Sequence, residues 1–138
     1  MNINLISSQE LDEKEALDFC SGKESGAVSL CLGKVRNKNN NKEVIRLVYE
    51  AYDSMVLSEM KTVIAECRQK WNLDKIYVAH RSGVLEIGDL AFIVACSSAH
   101  REASREANSW LVDTLKSRLP IWKKEEYHDG SEWLNSRP

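Results

Sequence analysis

Ser98-Ala99-His100-Arg101 opens an amphipathic stretch that Lys116-Ser117-Arg118-Leu119-Pro120 closes, and Ile121-Trp122-Lys123-Lys124-Glu125 leads out of it. If the helix begins at Ala99, His100 and Arg101 fall in its first turn, where backbone N–H groups lack partners and the macrodipole is positive. Cations are unfavourable there unless an anion joins them, so the pair reads as the lining of an anion pocket. Lys116 lies sixteen residues beyond His100, about 24 Å along the axis at a rise of ~1.5 Å per residue. The two cannot meet within one straight helix. Either they serve two sites, or one site is assembled from two copies of the chain around a two-fold axis. Pro120 stops the helix and lets the chain turn, so Lys123 can lie near Lys116. Two ammonium groups close together in a partly dry pocket lower each other's pKa, which suits one of them to act as base or nucleophile near neutral pH.

Arg36, at the end of the buried-strand pattern Gly33-Lys34-Val35-Arg36-Asn37, can join the same constellation, because a strand fixes position while the following loop gives access. Lys34 is a weaker candidate. Glu125 can orient Lys123 through a hydrogen bond, although an ordinary exposed carboxylate is the plainer reading. Each cation also has a plain structural role: a Lys in a last helical turn complements the dipole, and a surface Arg needs no ligand. His80 and His128 belong to no spacing that identifies a triad. No Gly-rich phosphate loop of the Walker or Rossmann type is present.

The elements that must position these residues follow from periodicity. Residues 2–6 read as a strand, and Ser7 with Glu10 makes a capping box for a helix to about Cys20, with Gly22 as its stop. Gly26–Lys34 is a mostly buried strand. The polar tract Asn37–Lys42 reads as a mobile loop. In Glu43–Tyr52, Ile45, Leu47, Tyr49 and Ala51 alternate with polar residues, which marks a strand with one buried face. Asp53 caps a helix whose stripe is Val56, Met60, Val63, Ile64, Cys67 and Trp71. Lys75–His80 and Leu90–Cys96 are further strands, joined by a connection holding Gly83 and Gly88. The helix from Ala99 to about Arg118 puts Ala103, Ala107, Trp110, Leu111 and Leu115 on one side. Ile121–Glu126 is extended, and Asp129-Gly130 marks a turn before Trp133. Strand pairs and helices without strict alternation favour α+β over a doubly wound sheet.

The 138 residues fit one domain. Hydrophobic residues make up 43% and charged residues 29%, an ordinary balance that argues against disorder and against a membrane span. A net charge of -2 and a pI near 5.9 speak against a general nucleic-acid binder, so any anion recognition is local. The N-terminal Met1–Ile6 lacks the basic region of a secretory signal. Cys20, Cys31, Cys67 and Cys96 are widely spaced, without a CxxC pair or a His at metal-ligand spacing, and read as reduced thiols of a cytoplasmic protein with no metal. Residue chemistry alone thus reaches an anion-binding domain with a basic composite pocket.

Several separate motifs, in order, resemble the MoaE family, the large catalytic subunit of molybdopterin synthase. They are Gly33-Lys34-Val35-Arg36-Asn37, Ser98-Ala99-His100-Arg101, Leu115-Lys116-Ser117-Arg118 and Pro120-Ile121-Trp122-Lys123-Lys124-Glu125, within a resemblance running from about Gly26 to Trp133. Tyr52 and Met55, and His80-Arg81-Ser82-Gly83, also fit. The family commonly has His where Ala51 stands and Pro-Gly where Asp53-Ser54 stands, and here the tail ends soon after Trp133. The resemblance implies an α/β-hammerhead fold with an added β-rich part, and no cofactor. It implies sulfur transfer from the C-terminal thiocarboxylate of a small ubiquitin-like partner to cyclic pyranopterin monophosphate, forming the dithiolene of molybdopterin. The implied assembly is a central homodimer with a small subunit at each end, without nucleic acid or membrane. Lys116 then matches the principal catalytic lysine, as general acid/base or transient acyl acceptor, and Lys123 the second, stabilising charge on the thiocarboxylate or pterin intermediate. Arg36, His100 and Arg101 match substrate-binding residues, with His100 and Arg101 supplied by the neighbouring copy. The same motifs place Lys34, Val35, Lys124 and Glu125 in the substrate-binding set. Two competing readings keep the basic pocket without catalysis: a dimeric module that binds a phosphorylated ligand or an acidic partner tail, and a structural partner of a ubiquitin-like protein.

Overall fold

In a computed structural model, which describes residues 1–134, the chain forms two sheets and three helices. The elements are β1 (Asn2–Ser7), α1 (Glu13–Cys20), β2 (Ala27–Lys34), β3 (Lys38–Asn39), β4 (Lys42–Ala51), α2 (Asp53–Lys70), β5 (Ile76–Arg81), β6 (Gly83–Glu86), β7 (Leu90–Ser98), α3 (Arg101–Arg118), β8 (Ile121–Tyr127) and β9 (Gly130–Leu134). The first sheet has the order β1-β5-β7-β2 and the second β3-β4-β8-β9, with β6 also paired to β4. β1 runs parallel to β5, and the remaining pairs are antiparallel. This is the expected α+β class with an added β-rich part.

Alternation along β5 and β7 divides the interior. Tyr77, Ala79, Ile93 and Ala95 face α1, where Ala16 and Cys20 cover them. Ile76, Val78, Val94 and Cys96 face the larger cluster built with α2, α3, β4 and β8. Ser104 and Asn108, buried on α3, pin that helix to the first sheet. Asn108 Nδ2 donates to the carbonyls of Ser29 (3.2 Å) and Val94 (3.0 Å), so one side chain ties the helix to β2 and β7 together. Asn108→Ala removes both bonds from a buried place, and we expect a loss of about 1–3 kcal/mol, read as a Tm several degrees lower by calorimetry. At the other end of α3, Arg118 donates to Glu59 and Glu66 of α2, locking the two helices where Lys116 must be presented.

Several local expectations are corrected. α1 starts at Glu13, with Asp12 as cap accepting from the Lys14 N–H (2.9 Å), while Ser7 accepts from the Gln9 N–H in a separate turn. α2 is preceded by Tyr52 without a side-chain cap, and Asp53 is its first residue, where a carboxylate still complements the dipole. α3 begins at Arg101, with His100 as N-cap; the cap oxygen comes from outside, Ser98 Oγ accepting from the Ser104 N–H. The tract read as a mobile loop is a hairpin: Asn39 pairs with Lys42, and Asn40 and Asn41 take φ of 51° and 64°, the left-handed pair that a tight two-residue turn requires and asparagine tolerates. A bulge at Ile45 shifts the alternation of β4, so Val44 rather than Ile45 joins Leu47 and Tyr49 in the core. The Gly83–Gly88 connection contains β6. Trp71 lies just past α2, half-buried against Trp110 and donating to Glu106.

Among the described residues no helix is long and apolar enough to cross a membrane. The four cysteines are unpaired; Cys20, Cys67 and Cys96 are buried.

Candidate functional site

The edge between the two sheets carries a cleft of about 600 Å³, whose lining includes Lys34, Arg36, Lys116 and Lys123 together with Asp113 and Glu125. Its floor is cross-strand: Tyr49 stands opposite Lys123, and Leu47 opposite Glu125, all on one face of the β4–β8 pair. Lys116 arrives from the last turn of α3, and Leu119 and Pro120 turn the chain so that Lys123 returns beside it. Four cations and two carboxylates share the space, so a protein of net negative charge holds a local positive field.

Lys123 is half-buried, and burial is the largest cause pushing its pKa below the ordinary lysine value. Glu125 pulls the other way, while Lys116 and Arg36 push down further. Glu125 is itself buried, at 6% exposure, against the plainer expectation of a solvated carboxylate. Asn39 Nδ2 and the Tyr127 hydroxyl both donate to its Oε1 at 2.6 Å. The hydrogen bond to Glu125 is the main reason the Tyr127 hydroxyl is pushed up to about 12. Asn39 thereby fastens the β3–β4 hairpin over the site.

The other sequence-derived residues lie elsewhere in this chain. Val35 is 2% exposed and packs in the core, its N–H donating to the Asp89 carbonyl. Lys124 falls on the opposite face of β8, its Nζ 5.3 Å from the centroid of the Trp133 ring; strand alternation sends it away from Lys123. His100 and Arg101 are exposed at the start of α3, a helix length from Lys116, and do not line the cleft. Asn39 and Tyr49 carry no functional signal in the sequence, and His80 enters there only within the His80-Arg81-Ser82-Gly83 motif, without a role of its own. Their positions depend on the hairpin and on cross-strand pairing.

His80 is buried behind the cleft, 5.0 Å edge-on from Tyr49 and stacked on Phe92 at 6.3 Å. Its Nδ1 lies 2.7 Å from the Arg81 carbonyl, which fixes Nδ1 as the protonated nitrogen of a neutral ring. Burial pushes its pKa down to about 4, the Arg81 hydrogen bond opposes, and Lys116 and Lys123 lower it further. The unfolded chain takes up this proton near pH ~6.5, the folded one only near 4, so between those values the unfolded state binds more protons. Stability therefore falls as pH drops through that window, by up to about 3 kcal/mol. Urea unfolding at pH 7 and pH 4.5 checks this, and His80→Phe should flatten the dependence.

An α+β domain with two lysines and an arginine converging in one cleft defines a protein built to receive an anionic ligand. Residues 6–118 match the family model described as MoaE protein. The chain is 46% identical over 81% of its length to the molybdopterin synthase catalytic subunit of Homo sapiens, spanning 60% of that longer protein. With the Bacillus subtilis subunit of the same name it shares 40% identity, over 96% of this chain and 84% of the relative. The crystal structure of molybdopterin synthase from Staphylococcus aureus superposes with a TM-score of 0.91 at 32% identity, covering 95% of this chain and 96% of that one. The chain belongs to the MoaE family, and so to the enzymes of molybdopterin synthesis.

Proposed function

We propose that this chain acts as a single domain transferring sulfur from the C-terminal thiocarboxylate of a small ubiquitin-like partner to cyclic pyranopterin monophosphate in the cytoplasm. The observation that carries this reading is the convergence of Lys116 and Lys123 with Arg36 and Lys34 on one cleft. The incoming groups are anionic at both ends: a phosphate and a thiocarboxylate. Arg36 and Lys34, at the strand-to-loop edge, suit the phosphate, since guanidinium pairs with it bidentately. Lys123, half-dry and beside Glu125, suits the charge of the thiocarboxylate and of the intermediate. Lys116, which makes no ion pair among the described residues and stands at the end of a rigid helix, moves the proton at the reacting centre.

His100 and Arg101 enter this scheme only from a second copy, because within one chain the helix holds them apart from the cleft. Exposed as they are at the start of α3, they are available to a neighbour's site. The homodimer is part of the proposal.

The test mixes the purified chain with a thiocarboxylated small partner and the cyclic pterin phosphate, and assays dithiolene formation. Product at a rate proportional to the chain supports the reading. No product with a partner competent toward another catalytic subunit overturns it. Retained ligand binding without turnover would instead favour the non-catalytic module.

A further inference from the structure

Phe92 of β7 forms the partition between two spaces. On one side is the basic cleft; on the other is an inner cavity of about 20 Å³, lined by Met60, Val78, His80, Leu115 and Ile121 among others. Room of that size holds at most about one water. Lys116 shares the lining of both spaces with Phe92. Its Nζ stands 5.0 Å from the Phe92 ring centroid, within cation–π range.

The ring is held from two further directions. Gly33 is its register partner on β2, and a Cβ there would lie 2.0 Å from the ring's Cε2, so only a bare α-carbon lets Phe92 occupy this place. Behind it stacks His80, with rings inclined by 23°. A neutral imidazole at this position adds no positive charge beside the ring that holds Lys116.

We propose that Phe92 is a positioning residue for the reaction: its ring, admitted by Gly33 and backed by His80, seats the Lys116 ammonium at the boundary between dry interior and cleft. The sequence holds the signal only in part, since Gly33 sits beside the basic motif while Phe92 lies in an apolar strand. The inference rests on the catalytic role given to Lys116 for one of its two readouts and is independent of it for the other.

The full-length chain, labelled with ¹³C and assigned with a Lys116→Arg control, reports the seat directly by NMR. Ring current should displace the Lys116 ε-methylene protons upfield of the other lysines in the native protein. Phe92→Leu, which keeps apolar bulk without a π-face, should return them to the ordinary lysine position, and Gly33→Ala should do the same by pushing the ring aside. In the sulfur-transfer assay, Phe92→Leu should lower kcat about 10- to 100-fold, the scale expected for loosening a reacting group, with KM for the pterin phosphate nearly unchanged. An undisplaced Lys116 signal in the native protein, or one that survives Phe92→Leu, overturns the proposal; so does a loss confined to KM. If Phe92→Leu fails to fold, the native signal and Gly33→Ala decide. A displaced signal in a protein without sulfur-transfer activity would sink the functional reading while leaving the seat in place.

Discussion

Lys116→Ala should abolish most turnover, by about 10²- to 10⁴-fold, the range in which a positioned acid or base contributes, while leaving the fold intact. Lys116 is exposed, makes no ion pair among the described residues, and touches Phe92 through its ammonium. Its removal breaks no ion pair among the described residues and trims an exposed side chain, so its stability cost should stay within about 0.5 kcal/mol, the scale of surface substitutions. Two measurements together make the point: single-turnover dithiolene formation, and a thermal melt that superposes on the parent's. A second effect has a definite sign. Lys116 is one of the charges that lower the Lys123 pKa, so its removal should raise the Lys123 titration seen by NMR. An unchanged rate in Lys116→Ala would remove the chain's principal claim to catalysis.

The parts of this fold that are legible in the sequence are those where one local rule dominates. Pro120 ends α3 and returns the chain, and from that single break the approach of Lys123 to Lys116 follows directly. The stripes of α2 and α3 likewise read directly, since Val56, Met60, Val63, Ile64 and Cys67 are buried at helical spacing. What stays hidden depends on partners distant in sequence. Ser98 caps α3 from outside the helix, so the start falls two residues later than its motif suggests. The Asn40-Asn41 turn makes a hairpin of a tract whose composition resembles a loop, because the left-handed pair is a backbone property that composition conceals. Glu125 reads as a surface carboxylate until Asn39, eighty-six positions earlier, and Tyr127 converge on it. The motif also groups neighbours that the pleat must separate: Lys123 and Lys124 are adjacent in sequence, yet only the first lines the cleft.

Lys123→Met should cost about 10²- to 10³-fold in turnover, the scale of removing one preorganised charge at a developing anion, with the apolar stem preserving the packing of β8. The charge must be present for this role, so the rate should fall as pH rises through the Lys123 pKa, which lies below that of an ordinary lysine because burial, Lys116 and Arg36 disfavour its charged form. The neighbours set the position of that alkaline limb in opposite directions. Glu125→Gln removes a carboxylate that supports the ammonium and should move the limb to lower pH; Arg36→Met relieves repulsion and should move it to higher pH. Glu125→Gln keeps an oxygen for Asn39 and Tyr127, so the hairpin remains fastened and the shift reports charge rather than unfolding. Titration of the Lys123 ε-methylene signal beside the pH–rate profile separates the two contributions. Shifts in the same direction for both variants would show that local structure, rather than the field at Lys123, governs the limb.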